Sequence, residues 1–102
     1  ASPVATTGGG PAIACGATAA GATSVTIADF AFEPANAAVA VGGGVTWTHA
    51  GDFPHTVTFR DGTDCGRVTS GGTVNAVFNQ PGSWDYFCAI HPQMTGTVTV
   101  EP

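Results

Sequence analysis

The chain contains no lysine, and its only basic residues are Arg60 and Arg67. With seven Asp and Glu, the net charge is −5. A surface without a basic cluster cannot neutralise a phosphate backbone or an anionic bilayer, which argues against nucleic acid and acidic lipid as partners. The acids (Asp29, Glu33, Asp52, Asp61, Asp64, Asp85, Glu101) are scattered and read as solubility, with at most a weak preference for a basic partner. Long apolar runs are also lacking: none approaches the ~20 residues that span a bilayer. The start, Ala1-Ser2-Pro3-Val4, has neither a basic nor an apolar stretch, so no signal peptide is visible and the chain reads as a mature form. Helical periodicity of useful length is missing too. What is abundant is 15 Gly and 7 Pro with much Thr and Val, a composition of strands and turns. With 43% apolar residues in 102, one compact core and one domain are expected.

Three cysteines need separate accounts. Cys88 belongs to a cluster described below, which leaves Cys15 and Cys65 as a possible pair. A disulfide there would indicate an oxidising compartment. It would close a loop of about 50 residues, for roughly 4 kcal/mol in the chain-entropy model. Two free thiols are the alternative, since sequence alone does not establish connectivity. A third reading, a lipid-modified Cys15 in Ala12-Ile13-Ala14-Cys15, is disfavoured because the preceding Thr-Thr-Gly-Gly-Gly-Pro is no apolar signal core.

Residues 1–23 are Ala, Gly, Thr and Pro with little periodicity and read as an N-terminal tail. The first dozen are expected to be mobile and the stretch around Cys15 to be held. From Ser24 to Pro102 the pattern is that of a single β domain. Val25 and Ile27 alternate with Thr26 and Ala28, and Phe30 and Phe32 follow with a phase shift at Asp29 that suggests a bulge. Val39 and Val41, Val45 and Trp47, His55 with Val57 and Phe59, Val74 with Ala76 and Phe78, Trp84 with Tyr86 and Cys88, and residues 97–100 complete the set. Between Asp61 and Gly72 a polar loop is expected. Seven or eight short strands with turns between them predict an all-β, two-sheet antiparallel sandwich. Trp47, Trp84, Tyr86, Phe30, Phe59 and Phe78 read as core. Parity places His55 at the start of one inward face and Cys88 at the end of another, so the two can meet at one pole.

The chemistry lies in Cys88-Ala89-Ile90-His91-Pro92-Gln93-Met94. A thiol, an imidazole and a thioether at spacing C-x2-H-x2-M can wrap one atom, and soft sulfur with imidazole suits copper. His55 supplies the fourth donor from far upstream. A trigonal His2Cys set with a weak axial Met suits both Cu(I) and Cu(II), so little need move on electron transfer. Met94 is the only Met. Backbone N–H bonds to the Cys88 sulfur would tune the potential. The rival is structural zinc, which needs four good donors; Cys15, Cys65 and His49 offer extras at no recognisable finger spacing. His49 itself reads as a packed or solvent-facing structural residue.

Phe53-Pro54-His55-Thr56-Val57, Pro81-Gly82-Ser83-Trp84-Asp85-Tyr86-Phe87-Cys88 and the C-x2-H-x2-M loop together resemble the small blue-copper proteins, the cupredoxins. The similarity is to the plastocyanin, pseudoazurin and amicyanin group, and the two-residue gap between His91 and Met94 is most like the amicyanin loop. The resemblance covers roughly residues 24–102. It implies a Greek-key β-sandwich, one type 1 copper ion and one-electron shuttling between redox proteins outside the cytoplasm, in a periplasmic, secreted or cell-surface setting. The family commonly has Asn after the first His ligand, where this chain has Thr56.

The expectation is therefore a soluble, monomeric electron carrier rather than an enzyme. Electrons would leave through the His91 edge to a transiently docked redox protein, within an apolar ring of Phe53, Pro54, Ile90 and Pro92. Phe87, beside Cys88 on the outward face, is a candidate lateral exit, a plain surface aromatic being the simpler reading. Copper storage or delivery is the alternative, disfavoured by a single Met and a buried Cys. A multicopper enzyme would need several more His than the one left over, His49.

Overall fold

Val25 and Ile27 are buried while Ser24 and Thr26 are exposed, so the alternation read from the sequence is the inside–outside pattern of a strand. The computed structural model describes residues 12–102; the expectation of a mobile start falls almost wholly outside the described residues. The strands are β1 (Ile13–Cys15), β2 (Thr23–Ala28), β3 (Ala31–Glu33), β4 (Asn36–Ala40), β5 (Gly44–His49), β6 (His55–Phe59), β7 (Asp64–Val68), β8 (Thr73–Phe78), β9 (Gly82–Phe87) and β10 (Thr95–Glu101). They form two five-stranded sheets, ordered β4-β10-β9-β6-β7 and β1-β8-β5-β2-β3.

The sheets face each other across a core to which both contribute. Trp47 and Phe78 come from one sheet, Phe59 and Tyr86 from the other, and all four are fully buried. The Trp47 and Tyr86 rings meet edge to face at 5.5 Å, and Phe59 lies 5.4 Å from Tyr86 and 5.8 Å from Phe78. Each such pair adds about 0.5–1.5 kcal/mol beyond the area it buries. Removing one of these rings would cost about 3–5 kcal/mol.

The sandwich is as expected, with three differences. Both sheets are mixed rather than wholly antiparallel, because β4 runs parallel to β10 and β2 parallel to β5; alternation reports which face a residue takes, not strand direction. Ten strands are found among the described residues rather than seven or eight. The additions include β1 and β7, which lie at sheet edges. β1 is only three residues long and β7 is largely polar, and pairing to a neighbour orders them. The third difference is at Asp29-Phe30, a tight hairpin turn between β2 and β3 rather than a bulge. Phe30 takes φ 71° there, the left-handed region that a bulky residue rarely adopts. It is 53% exposed, not core.

The Cys15–Cys65 disulfide is formed. It joins β1 to β7 and so links an edge of one sheet to an edge of the other. β7 in turn pairs with β6, His55 opposite Val68 and Thr56 opposite Arg67, with a bulge before Thr58 pairs with Asp64. Because β6, β9 and β10 are neighbours, the start of β6, the end of β9 and the start of β10 meet at one pole.

Candidate metal centre

The link from β9 to β10 is short and closed on itself. The Cys88 N–H donates to the Met94 carbonyl at 3.0 Å, and the Met94 N–H donates to the His91 carbonyl at 2.9 Å. Phe87 and Thr95 pair directly across the base. A seven-residue loop held this way has few conformations left, and its three chemically distinct side chains are presented together.

His55, Cys88 and His91 converge, their donor atoms all within 4.8 Å of one another. The Cys88 Sγ lies 3.7 Å from His55 Nδ1 and 3.8 Å from His91 Nδ1, and the two nitrogens are 3.3 Å apart. A trigonal metal with bonds of about 2.0–2.3 Å would hold its donors about 3.5–3.8 Å apart, so the triangle is close to the size a metal requires. One thiolate and two imidazoles suit copper. Met94, the last residue of the loop, is 1% exposed and adds a thioether in the same segment. His55 and Cys88 are fully buried, while His91 is half-buried, so one ring reaches toward solvent.

Two backbone N–H groups, from Thr56 and His91, point at the Cys88 sulfur at 3.4 Å each. With a metal bound, they would stabilise the sulfur ligand and withdraw electron density from it. Thr56 does more than its single hydroxyl suggested. Its Oγ1 accepts the Ala89 N–H at 2.7 Å and lies 3.0 Å from Thr58 Oγ1. The segment carrying His55 is thereby tied directly to the loop carrying Cys88.

His49 stacks on His55, ring centroids 5.0 Å apart and planes at 28°. Its Nδ1 accepts the Gly51 N–H at 3.2 Å, so Nε2 carries the proton and donates to the Phe53 carbonyl at 2.5 Å. Both nitrogens are thus committed to the loop before His55. His49 is not in the donor cluster.

Two residues were not singled out by sequence reasoning. Asp29, read there as one of the scattered surface acids, accepts N–H bonds from Asp52 and Phe53 at 3.1–3.2 Å. It also lies 3.2 Å from His55 Nε2. Its carboxyl is held below the ordinary carboxylate range by the Asp52 N–H first of all, against an opposing effect of burial, then by Phe53 and His55. Phe30, read as core, sits edge-on to His91 at 5.1 Å and 5.8 Å from Phe53. The available signal was a two-residue gap between alternating runs, which marks a hairpin turn. With Phe53 and Ile90, 52% and 43% exposed, Phe30 extends the apolar surface around His91. On the flank, the Arg60 guanidinium lies 4.4 Å over the half-buried Phe87 ring.

Residues 19–101 match the family described as copper-binding proteins of the plastocyanin/azurin family. The amicyanin-alpha of Methylorubrum extorquens is 38% identical over 88 residues, covering 80% of this chain and 74% of that protein. The amicyanin of Paracoccus denitrificans is 35% identical over 88 residues, with 79% of this chain and 66% of that protein covered. A plastocyanin of Scenedesmus fuscus is 31% identical over 88 residues, with 69% and 86% covered. Among solved structures, a Cu(I) form of an amicyanin mutant superposes with a TM-score of 0.81 at 28% identity, covering 89% of this chain and all of that one.

Proposed function

The chain belongs to the plastocyanin/azurin family of copper-binding proteins, and on that premise we propose that His55, Cys88, His91 and Met94 hold its single copper ion. The protein is a type 1 copper electron-transfer protein. Copper supplies the one-electron chemistry by alternating between Cu(I) and Cu(II). The chain's residues do the rest. The triangle of one thiol and two imidazoles carries this reading, because its edges of 3.3–3.8 Å already have the size of a trigonal site. A site built to that size in a rigid loop spares the protein rearrangement on each electron. The hydrogen bonds of Thr56 and His91 to Sγ hold the sulfur in place.

We assign it the role of carrier rather than enzyme: the four donors leave no open position for a substrate, and His49 is committed to backbone groups. Redox partners would dock over His91, on the surface made by Phe53, Ile90, Pro92 and now Phe30. Such a small apolar patch suits a complex that must form and part quickly. The monomeric state is part of the same proposal. No helix among the described residues is long and apolar enough to cross a membrane. The Cys15–Cys65 disulfide favours an oxidising, extracytoplasmic setting.

The optical and electron-spin spectra of the copper-loaded protein test the reading. Intense blue colour from thiolate-to-copper charge transfer is expected of the Cu(II) form. A colourless copper-loaded sample would sink it.

A further inference from the structure

We propose that Asp29 is a positioning residue of the copper site, fixing the tautomer and orientation of His55 and lowering the reduction potential. The inference rests on the copper site proposed above.

His55 presents its two nitrogens to different surroundings. Nδ1 faces the donor cluster, 3.7 Å from the Cys88 sulfur. Nε2 faces Asp29 Oδ1 at 3.2 Å. A carboxylate accepts only, so it selects the form that carries the proton on Nε2. The Nδ1 lone pair is then free on the side where the metal binds. The opposite tautomer would put a proton into the cluster and leave an acceptor against an acceptor. The ring has little room to turn away. His49 stacks on it with centroids 5.0 Å apart, and Phe30 meets it edge-on at 6.4 Å.

Asp29 is itself anchored by the loop that delivers His55. Its oxygens accept the N–H groups of Asp52 and Phe53, so loop, carboxylate and imidazole are one unit. Gly51 is part of it: a Cβ there would overlap the Asp29 carboxylate. The hairpin turn thus reaches both histidines, Asp29 bonding to His55 and Phe30 packing on His91. A carboxylate bonded to the far nitrogen raises the basicity of a ligating imidazole. Basicity and nearby negative charge both favour the more highly charged Cu(II) state. The potential should therefore lie lower than it would without Asp29.

The rival explanation is that Asp29 only clamps the loop. Asp29→Asn separates the two, because an amide oxygen still accepts the Asp52 and Phe53 N–H groups but carries no charge. The full-length copper protein should keep its blue spectrum in Asp29→Asn while its potential rises. Asp29→Ala should raise the potential too and weaken copper binding by roughly 10–100-fold, as loss of such outer partners does. Gly51→Ala, which displaces the carboxylate, should move the potential in the same direction. In the metal-free full chain, nitrogen NMR at mildly alkaline pH should find His55 protonated on Nε2 in the parent and mixed between tautomers in Asp29→Ala. Unchanged potentials in Asp29→Asn, even if Asp29→Ala melts earlier, would reduce Asp29 to a loop clamp and overturn the proposal. An unaltered tautomer in Asp29→Ala would do the same. If the parent protein with copper is not blue, the copper-site reading fails, and the metal-free spectra still decide whether Asp29 orients His55.

Discussion

Thr56 and Met94 border the same site with different chemistry. The Thr56 hydroxyl takes the place where the family commonly has an amide, and it still ties the two ligand segments by accepting from Ala89. In the proposed ligand set, Met94 would add a soft thioether, a weak donor that tempers the trigonal set. Met94→Leu should keep the blue colour and raise the potential, read by voltammetry. A lowered potential would mean that Met94 is not the weak axial donor. His49→Gln should leave the type 1 spectrum in place, since His49 lies outside the cluster. It should lower stability by about 1 kcal/mol in denaturant titration, because two part-buried bonds to the Gly51 and Phe53 backbone lose their fitted partner. The convergence of His55, Cys88 and His91 was legible from spacing and parity. Asp29 was not: nothing in a lone acid says that a hairpin will carry it beneath an imidazole 26 positions further along.

At the scale of elements, two contacts decide how well the strands are held. Gly96 on β10 lies opposite Tyr86 on β9, and a Cβ at Gly96 would overlap the Tyr86 ring at Cζ. Gly96→Ala should therefore destabilise by about 1–3 kcal/mol or more through overpacking, visible as a lowered melting temperature. The disulfide closes a separation of 50 residues, and replacing both cysteines with Ala should cost up to about 4 kcal/mol. Intact mass with and without reductant checks the bond itself through a two-hydrogen difference. The central strands were readable because each buries alternate side chains, as in Val25 and Ile27 or Val57 and Phe59. β1 and β7 were not, because their order comes from a partner strand and a covalent link rather than from their own pattern. Parallel pairing of β2 with β5 was equally hidden, since reversing a strand leaves its alternation unchanged.

For the molecule as a whole, the core and the surface each make a measurable prediction. Burial pushes the Tyr86 hydroxyl up from 10.0 to about 12, with the nearby Trp47 indole pulling weakly the other way. The phenol and the Trp47 Nε1 lack a well-formed hydrogen-bond partner among the described residues. The native state therefore keeps a proton that the unfolded chain gives up from pH 10 upward. Stability from this group is complete below pH 10 and is lost progressively toward pH 12. At about 1.4 kcal/mol for each pH unit between those two values, the loss approaches about 3 kcal/mol, and Tyr86→Phe should flatten the alkaline limb of a stability–pH curve. On the surface, Ile90→Glu places a charge in the apolar ring around His91. It should slow electron self-exchange between two copies of the protein by tenfold or more while the potential stays nearly constant. An unchanged exchange rate would move the point of electron exit away from His91.

The disulfide also fixes how the molecule would bear a mechanical load. Pulled between its ends, the chain would pass tension from Cys15 straight to Cys65, and the segment between them would carry none. His55 lies inside that shielded segment, whereas Cys88, His91 and Met94 lie on the stretch that takes the strain. Extension would therefore tear the metal site along a defined seam, drawing one imidazole away from the other three donors as β9 parts from β6. Bound metal would then act as a second rivet across the seam, and the rupture force would report its presence.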